Sequence, residues 1–409
     1  MKPGTPGFNA IRLREAREAR GLTAISLSDI IGVSRQAISQ YENNSQTPRP
    51  EVMEKIANAL QLPLAYFRFN DIISKGTIFY RSMSSATKTA RIRAENRYSW
   101  LRIIEIFLRE YIQFPQEKYP DFDMPKDPNR ISSEMIEDLA IQTRRFWGLQ
   151  DNPIANIVLL LENNGTIIAR DDLEADTLDA FSDVSSNVRA PYIILGADKA
   201  IAVRSRFDAA HEAAHYILHR NIDEVYLTRK SEYQLIEKQA HRFAAAFLLP
   251  ANTFANDFYS ATLDALKNIK PKWGASIAMM IQRSHDLDFI SEDQKIKLFI
   301  NLSKRGWKTK EPLDDVIEVE QPTLLKRAFE LIINENMLSR QEILARIPLA
   351  TADIEKLAGL PLGFFSEQPT EEMPRVSVLK PRQSNNDQDG NSRAEIIQFP
   401  LKEGTKKGV

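Results

Sequence analysis

His211-Glu212-Ala213-Ala214-His215 constrains this 409-residue chain more than any other stretch. On a helix, residues four apart share a face, so both imidazoles can grip one metal ion while Glu212 projects beside it toward a bound water. Four of the five histidines fall within 211–241. The spacing is that of a zinc-peptidase helix, expected over about 202–218. Two ligands do not complete such a site, because catalytic zinc takes three protein ligands and keeps a position for water. His219 lies four residues beyond His215, but three side chains along one straight helix point sideways in parallel and cannot converge on a tetrahedral ion. The third ligand must come from another element. An amphipathic helix predicted over 236–248, ended by Pro250, offers Glu237 and His241 on one face.

The chain has no cysteine, which excludes disulfides and thiolate ligands and leaves nothing to argue for an oxidising compartment. No apolar run has the length of a membrane span, and the polar, mixed-charge start over 1–20 lacks the core of a secretory signal. A cytoplasmic protein of two or three domains, without a membrane partner, is expected. The formal net charge is −1, but it is unevenly placed: fifteen basic against eight acidic residues over 1–100 leave +7 there and −8 beyond. The basic end is the one suited to phosphates.

That end reads as short helices at about 11–20, 23–31 and 34–43, with breaks at Gly21 and at Gly32-Val33. Thr23 and Ser34 are suitable N-caps, and Gly32 stands where a tight interhelical turn needs a positive φ. Ile30, Val33 and Ile38 are expected to form the small core between these helices, with Ile11, Leu13 and Leu60 also inside. Gly21-Leu22-Thr23, the run Ile31-Gly32-Val33-Ser34-Arg35-Gln36-Ala37-Ile38-Ser39-Gln40-Tyr41-Glu42, and Pro48-Arg49-Pro50 leading into Ile56-Ala57-Asn58-Ala59-Leu60 resemble the Cro/repressor (XRE) type of helix-turn-helix domain over 9–67. The resemblance implies binding to double-stranded DNA. The recognition helix would be 34–43, opened by Ser34, with Arg35, Gln36 and Ser39 facing base edges and Gln40 or Asn43 nearer phosphate. Ala24 departs from the family, which usually carries a phosphate-contacting Gln there, so tight binding is expected to need a homodimer on a palindromic operator.

Beyond this domain a long amphipathic helix is predicted over 91–114, with Trp100, Ile103, Ile104, Phe107, Leu108 and Tyr111 as its buried stripe. Four prolines in 114–129 read as a linker. Helices follow at 136–147 and 154–163, then short strands at 166–169, 180–183 and 192–195. An edge strand beside the metal helix, 180–183 or 192–195, would be the place to hold an extended substrate by backbone pairing. Later helices are expected at 276–283, 323–334, 339–347 and 351–357, and the polar tail is expected to be disordered, with 396–399 as a short docking strand. The fold class is α+β. The predicted divisions are a helix-turn-helix domain (1–70), a helical connector (71–130), a zinc-peptidase-like domain with a small sheet (131–312), a helical appendage (313–365) and a tail (366–409).

The segment 206–219, with Glu237-Lys238-Gln239-Ala240-His241-Arg242-Phe243-Ala244-Ala245-Ala246-Phe247-Leu248-Leu249-Pro250, resembles the ImmA/IrrE family of metallo-endopeptidases, and the likeness extends over about 80–312. It implies that Glu237 is the third zinc ligand beside His211 and His215. Glu212 would be general base toward the water at the metal and later proton donor to the leaving amine. His241 stands where members commonly carry Asn; a donor that orients Glu237, a spare ligand and a surface histidine are all open to it. An oxyanion stabiliser is also expected, with Arg283, His285 and Tyr226 as candidates.

The sequence therefore predicts a DNA-binding zinc endopeptidase that regulates transcription by cleaving a protein, and the family resemblance makes that substrate a repressor or antitoxin. The competing expectation is a non-proteolytic transcription regulator or antitoxin whose peptidase-like domain senses a ligand or partner.

Overall fold

A computed structural model describes residues 4–69, 78–80, 88–172, 179–183, 191–197 and 201–366, with 78–80 as backbone only. The chain divides into two units, Met1–Leu362 and Gly363–Val409. Of the second only 363–366 are described, where the rings of Phe364 and Phe365 meet edge to face. The expected disordered tail and its docking strand at 396–399 lie outside the described residues, apart from Ser366.

The first unit opens with α1 (Ala10–Ala19), α2 (Ala24–Ile31), α3 (Arg35–Glu42) and α4 (Pro50–Leu60), followed by a 3-10 turn at Leu64–Arg68. Each start has a local cause. Asn9, Thr23 and Ser34 accept backbone N–H groups of Ile11, Ser26 and Ala37, and Pro50 opens α4 where its missing N–H costs nothing. Gly32 ends α2 at φ 70°, in the left-handed region. Leu13, Leu27, Ile31, Ile38, Ile56 and Leu60 form the core. Two expected core residues are not in it: Ile11 is 64% and Ile30 58% exposed, while Val33 is half-buried. Successive helical residues turn by about 100°, and α2 buries Leu27, Ser28 and Ile31, so Ile30 faces out. Ile11 is likewise out of phase with Ala10 and Leu13. A two-pronged ion pair fixes α3 to α1, with Arg17 Nε and Nη2 at 2.6 and 2.9 Å from the Glu42 carboxylate.

Strand β1 (Ile78–Tyr80) precedes the long helix α5 (Lys88–Arg109). The stripe Trp100, Ile103, Ile104, Phe107 and Leu108 is buried within the chain, and α5 packs on α1. Trp100 lies between two guanidiniums, Arg20 and Arg97, at 5.0 and 4.9 Å, and its indole N–H donates to Tyr66 at 3.0 Å. The proline-bearing stretch after α5 is extended and packed onto the core, not a free tether: Phe114, Tyr119 and Met124 are buried, and Tyr119 bonds to Thr166 at 2.6 Å. Gly165 is required beneath it, because its φ is 92° and a Cβ would come within 2.7 Å of the Glu117 backbone.

Next come α6 (Ser133–Phe146), α7 (Ile157–Asn163), β2 (Ile167–Asp171), β3 (Ala180–Asp183), β4 (Tyr192–Gly196) and α8 (Ala202–Ala214), which widens into a π-turn at His215–His219. Then follow α9 (Glu224–Leu227), α10 (Lys230–Leu248), α11 (Ala251–Asp257), α12 (Leu263–Trp273), α13 (Ile277–Asp286), α14 (Glu292–Lys304), α15 (Leu324–Asn334), α16 (Arg340–Arg346) and α17 (Thr351–Leu357). The arrangement is α+β, with one small sheet of order β1-β3-β4-β2 among the described residues. β4 runs parallel to β2 and antiparallel to β3, and β1 pairs antiparallel with β3 in the register Phe79 to Ser182. Both strands expected to hold a substrate are therefore paired on both sides, and the sheet edges belong to β1 and β2. Strand composition does not reveal this, because β1 comes from before α5.

Carboxylates distant in sequence pin the later helices. Glu162 on α7 accepts the N–H groups of Thr323 and Leu324 at the start of α15, and Glu320 accepts those of Ile157 and Val158 at the start of α7. Such anions match the positive end of a helix. Asp353 on α17 receives Arg20 of α1 at 2.6 Å and Arg97 of α5 at 2.7 Å, and Arg97 also binds Asp171 of β2. Asp353→Ala removes a carboxylate from both guanidiniums, leaving Arg97 with Asp171, and charged hydrogen bonds of this kind contribute about 1.5–3 kcal/mol each. Urea unfolding is expected to show a loss of at least about 2 kcal/mol, whereas an unchanged midpoint would mean that these pairs are not formed.

Candidate metal centre and nucleic-acid face

Alanines allow α8 and α10 to approach closely: Ala210, Ala213 and Ala214 from one, Ala240 and Ala244 from the other, all buried in one cluster. The approach brings His211, His215 and Glu237 together, with one ligand atom from each lying within 4.8 Å of the others. The two Nε2 atoms are 3.1 Å apart, and they lie 3.3 and 3.4 Å from the Glu237 oxygens. Ligands about 2.05 Å from a tetrahedral ion are separated by about 3.3 Å, so the spacing fits a small four-coordinate cation. The chemistry fits as well. Both Glu237 oxygens are buried, and the groups facing them are the two imidazole Nε2 atoms at 3.3 and 3.4 Å, longer than ordinary hydrogen bonds; a cation between the three groups would satisfy this carboxylate.

The electrostatics agree. Burial alone would raise the Glu237 pKa, but interaction with the two imidazoles outweighs it and holds the carboxyl well below its usual range. Burial pushes His211 and His219 far down, so both are neutral. Glu212 follows His211 on the same helix and is held from the sheet: Ser182 Oγ on β3 donates to its Oε2 at 2.5 Å.

His219 is outside the ligand group, behind His215, with the two Nδ1 atoms 3.0 Å apart. Its Nε2 lies 3.2 Å from Gln239 Oε1. His241 is half-buried, its Nδ1 donating to the Glu237 carbonyl at 2.6 Å and its ring 4.5 Å from that of His211. A cavity of about 750 Å3 lies on the His241 side, with Phe207, His241, Arg204, Lys238 and Met279 in its walls and none of His211, Glu212, His215 or Glu237 among its lining residues. The oxyanion candidates are engaged by other groups. Arg283 is buried and engaged by both oxygens of Glu137 at 2.7 and 2.8 Å, His285 pairs with Glu292 at 2.8 Å, and the Tyr226 ring carries the Arg229 guanidinium. Ser182 has no motif around it, and only the fold brings it to the site; Gln239 lies two residues from Glu237 on α10.

On α3, Arg35, Gln36 and Ser39 are exposed and share a face, with Gln40 half-buried. Ser34 is exposed, but its hydroxyl accepts the Ala37 N–H at 3.1 Å, which makes it the helix cap. Asn43, at the other end, accepts Arg14 through Oδ1 at 2.9 Å.

Comparison with known proteins separates the same two regions. Residues 13–67 match the helix-turn-helix family model, and residues 162–285 match the IrrE N-terminal-like domain of the M78 peptidase family. The chain is a fusion of these two modules. A protein of Methanocaldococcus jannaschii named as an HTH-type transcriptional regulatory protein is 42% identical over 52 residues, which is 13% of this chain and 16% of that protein. The fusion thus combines a DNA-binding module with a metallopeptidase-like one. No helix among the described residues is long and apolar enough to cross a membrane.

The buried imidazoles make acid stability a test of the metal centre. His211 and His219 stay neutral in the fold but take up protons below about 6.5 when unfolded, so their contribution is present above that pH and is lost as pH falls toward their folded values. Each adds a slope of up to about 1.4 kcal/mol per pH unit. Glu237 acts only below its ordinary 4.5. Urea unfolding of the metal-free protein should therefore weaken between pH 6.5 and 5, and a flat profile there would contradict the burial of these rings.

Proposed function

We propose that the fusion is a zinc-dependent endopeptidase and transcription regulator that binds double-stranded DNA and cleaves a protein substrate. The observation that carries this reading is the convergence of His211, His215 and Glu237, with one ligand atom from each within 4.8 Å of the others, beside a carboxylate, Glu212, that is anchored from the sheet. Two imidazoles and one carboxylate are a donor set suited to zinc with a fourth position for water.

When bound, zinc supplies Lewis acidity toward the scissile carbonyl and toward water. Glu212 receives the water's proton and passes it to the leaving amine, which requires a carboxylate held in one orientation; the Ser182 hydroxyl holds it. The cavity lined by Phe207 and His241 is the space beside this site in which a peptide could sit, with the His241 ring 4.5 Å from that of His211. A repressor or antitoxin is the substrate implied by the family likeness, and the cytoplasm, where DNA is available, is the compartment.

The DNA half reads bases through Arg35, Gln36 and Ser39 and phosphates through Gln40 and Asn43, with Ser34 setting the helix start. Its likeness to a protein named as a transcriptional regulator supports a role at promoters. A homodimer would match a palindromic operator. Because α5 buries its stripe within the chain, the dimer surface lies elsewhere.

One observation favours a second reading, a non-proteolytic regulator whose peptidase-like domain senses a ligand or partner. β1 covers the outer side of β3, the strand that touches Glu212, so among the described residues no open strand edge adjoins that residue to receive an extended peptide. Glu212→Gln separates the two readings. It should retain one zinc per chain and lose peptide hydrolysis entirely, because an amide cannot accept the proton; equal regulation of the target promoter by wild type and variant would support sensing. For DNA, Arg35→Ala should cost about 1–3 kcal/mol at one operator position and relax base preference there. A mobility shift identical for wild type and Arg35→Ala at every operator variant would remove α3 from the groove.

A further inference from the structure

Gln239 turns its Nε2 amide toward two backbone carbonyls, Pro128 at 2.7 Å and Ile131 at 3.0 Å. Carbonyls only accept, so this orientation is forced and the other amide atom, Oε1, must face His219 Nε2 as an acceptor. A proton therefore belongs on His219 Nε2. In a neutral ring the second nitrogen, Nδ1, then carries a lone pair, and it faces His215 Nδ1 at 3.0 Å. The proton in that contact must come from His215 Nδ1. His215 Nε2 is left with its lone pair, aimed at Glu237 and His211 Nε2.

We propose that His219 and Gln239 are positioning residues: they hold the His215 proton on Nδ1 and so present the Nε2 lone pair to the cation before it arrives. The inference rests on the metal-centre reading above but not on hydrolysis. The π-turn at His215–His219 carries both rings, and all three side chains of the relay are buried, so bulk water does not compete for these contacts. The two carbonyls flank the 3-10 turn at Pro128–Arg130, which makes the packed stretch before α6 the outermost anchor of a metal ligand. A ring without this relay would divide its proton between two nitrogens and meet the metal with the wrong one part of the time.

Long-range 1H–15N correlation spectra of the metal-free full-length protein test the proposal directly, and five histidines make them assignable. Wild type is expected to show His215 protonated on Nδ1 and His219 on Nε2. His219→Leu should leave His215 without a fixed tautomer and weaken zinc binding about 10–100-fold in a chelator competition. His219→Gln offers a carbonyl acceptor in the same region and should restore both. A wild-type His215 protonated on Nε2 overturns the proposal without any variant, as does a His219→Leu protein with unchanged tautomer and affinity. If wild type binds no zinc while the tautomers are as stated, the metal reading fails and the relay stands.

Discussion

The convergence of two imidazoles and a carboxylate in a buried place is the constraint around which this molecule is built. His211 Nε2, His215 Nε2 and the Glu237 carboxylate approach to 3.1–3.4 Å, a spacing that a cation between them would satisfy. Their convergence requires α8 and α10 to run close, and the alanines at 210, 213, 214, 240 and 244 provide the room. Contacts also back the other two groups beside His211. The Glu237 segment is tied through its carbonyl to His241, and His215 is backed by His219 and Gln239. A cation converts this arrangement from a cost into a stabilising contact, which is how metal affinity becomes folding free energy.

The same element that serves the metal centre reaches the DNA module. α3 is fixed to α1 by Arg17 and Glu42, and α1 is fixed through Arg20 to Asp353, which it shares with Arg97 of α5. One turn along α5 from Arg97, Trp100 lies under both guanidiniums. Tyr98, also on α5, donates to Asp183 at 2.7 Å, and the neighbouring residue on β3, Ser182, holds Glu212. The hydroxyl of Tyr98 is pushed far up in pKa by burial and by the Asp183 carboxylate, so it remains a donor throughout the physiological range. A contiguous set of packed and charged groups therefore runs from α3 to Glu212.

Much of this was legible in sequence, and the failures have physical causes. The caps at Thr23 and Ser34, the left-handed Gly32, and the strands around 180 and 192 are local features and lie where the residues placed them. The spacing from His211 to His215 is also local, whereas the helix carrying Glu237 begins at Lys230, ahead of the expected 236, and the fold brings the three together. Helix phase was less legible: Ile11 and Ile30 are apolar but turn outward by one position. Sheet edges could not be read, because β1 covers β3 from the far side of α5. Arg283 looked available because its partner Glu137 is 146 residues away, and Gln239 looked unremarkable because its partners are backbone carbonyls.

The metal itself is the most direct test. A crystal of the full chain grown with zinc, with anomalous differences collected on both sides of the zinc absorption edge, should show one peak per chain. That peak is expected about 2.0–2.2 Å from His211 Nε2, His215 Nε2 and a Glu237 oxygen. No peak at saturating zinc, or a peak away from these three residues, would contradict the account.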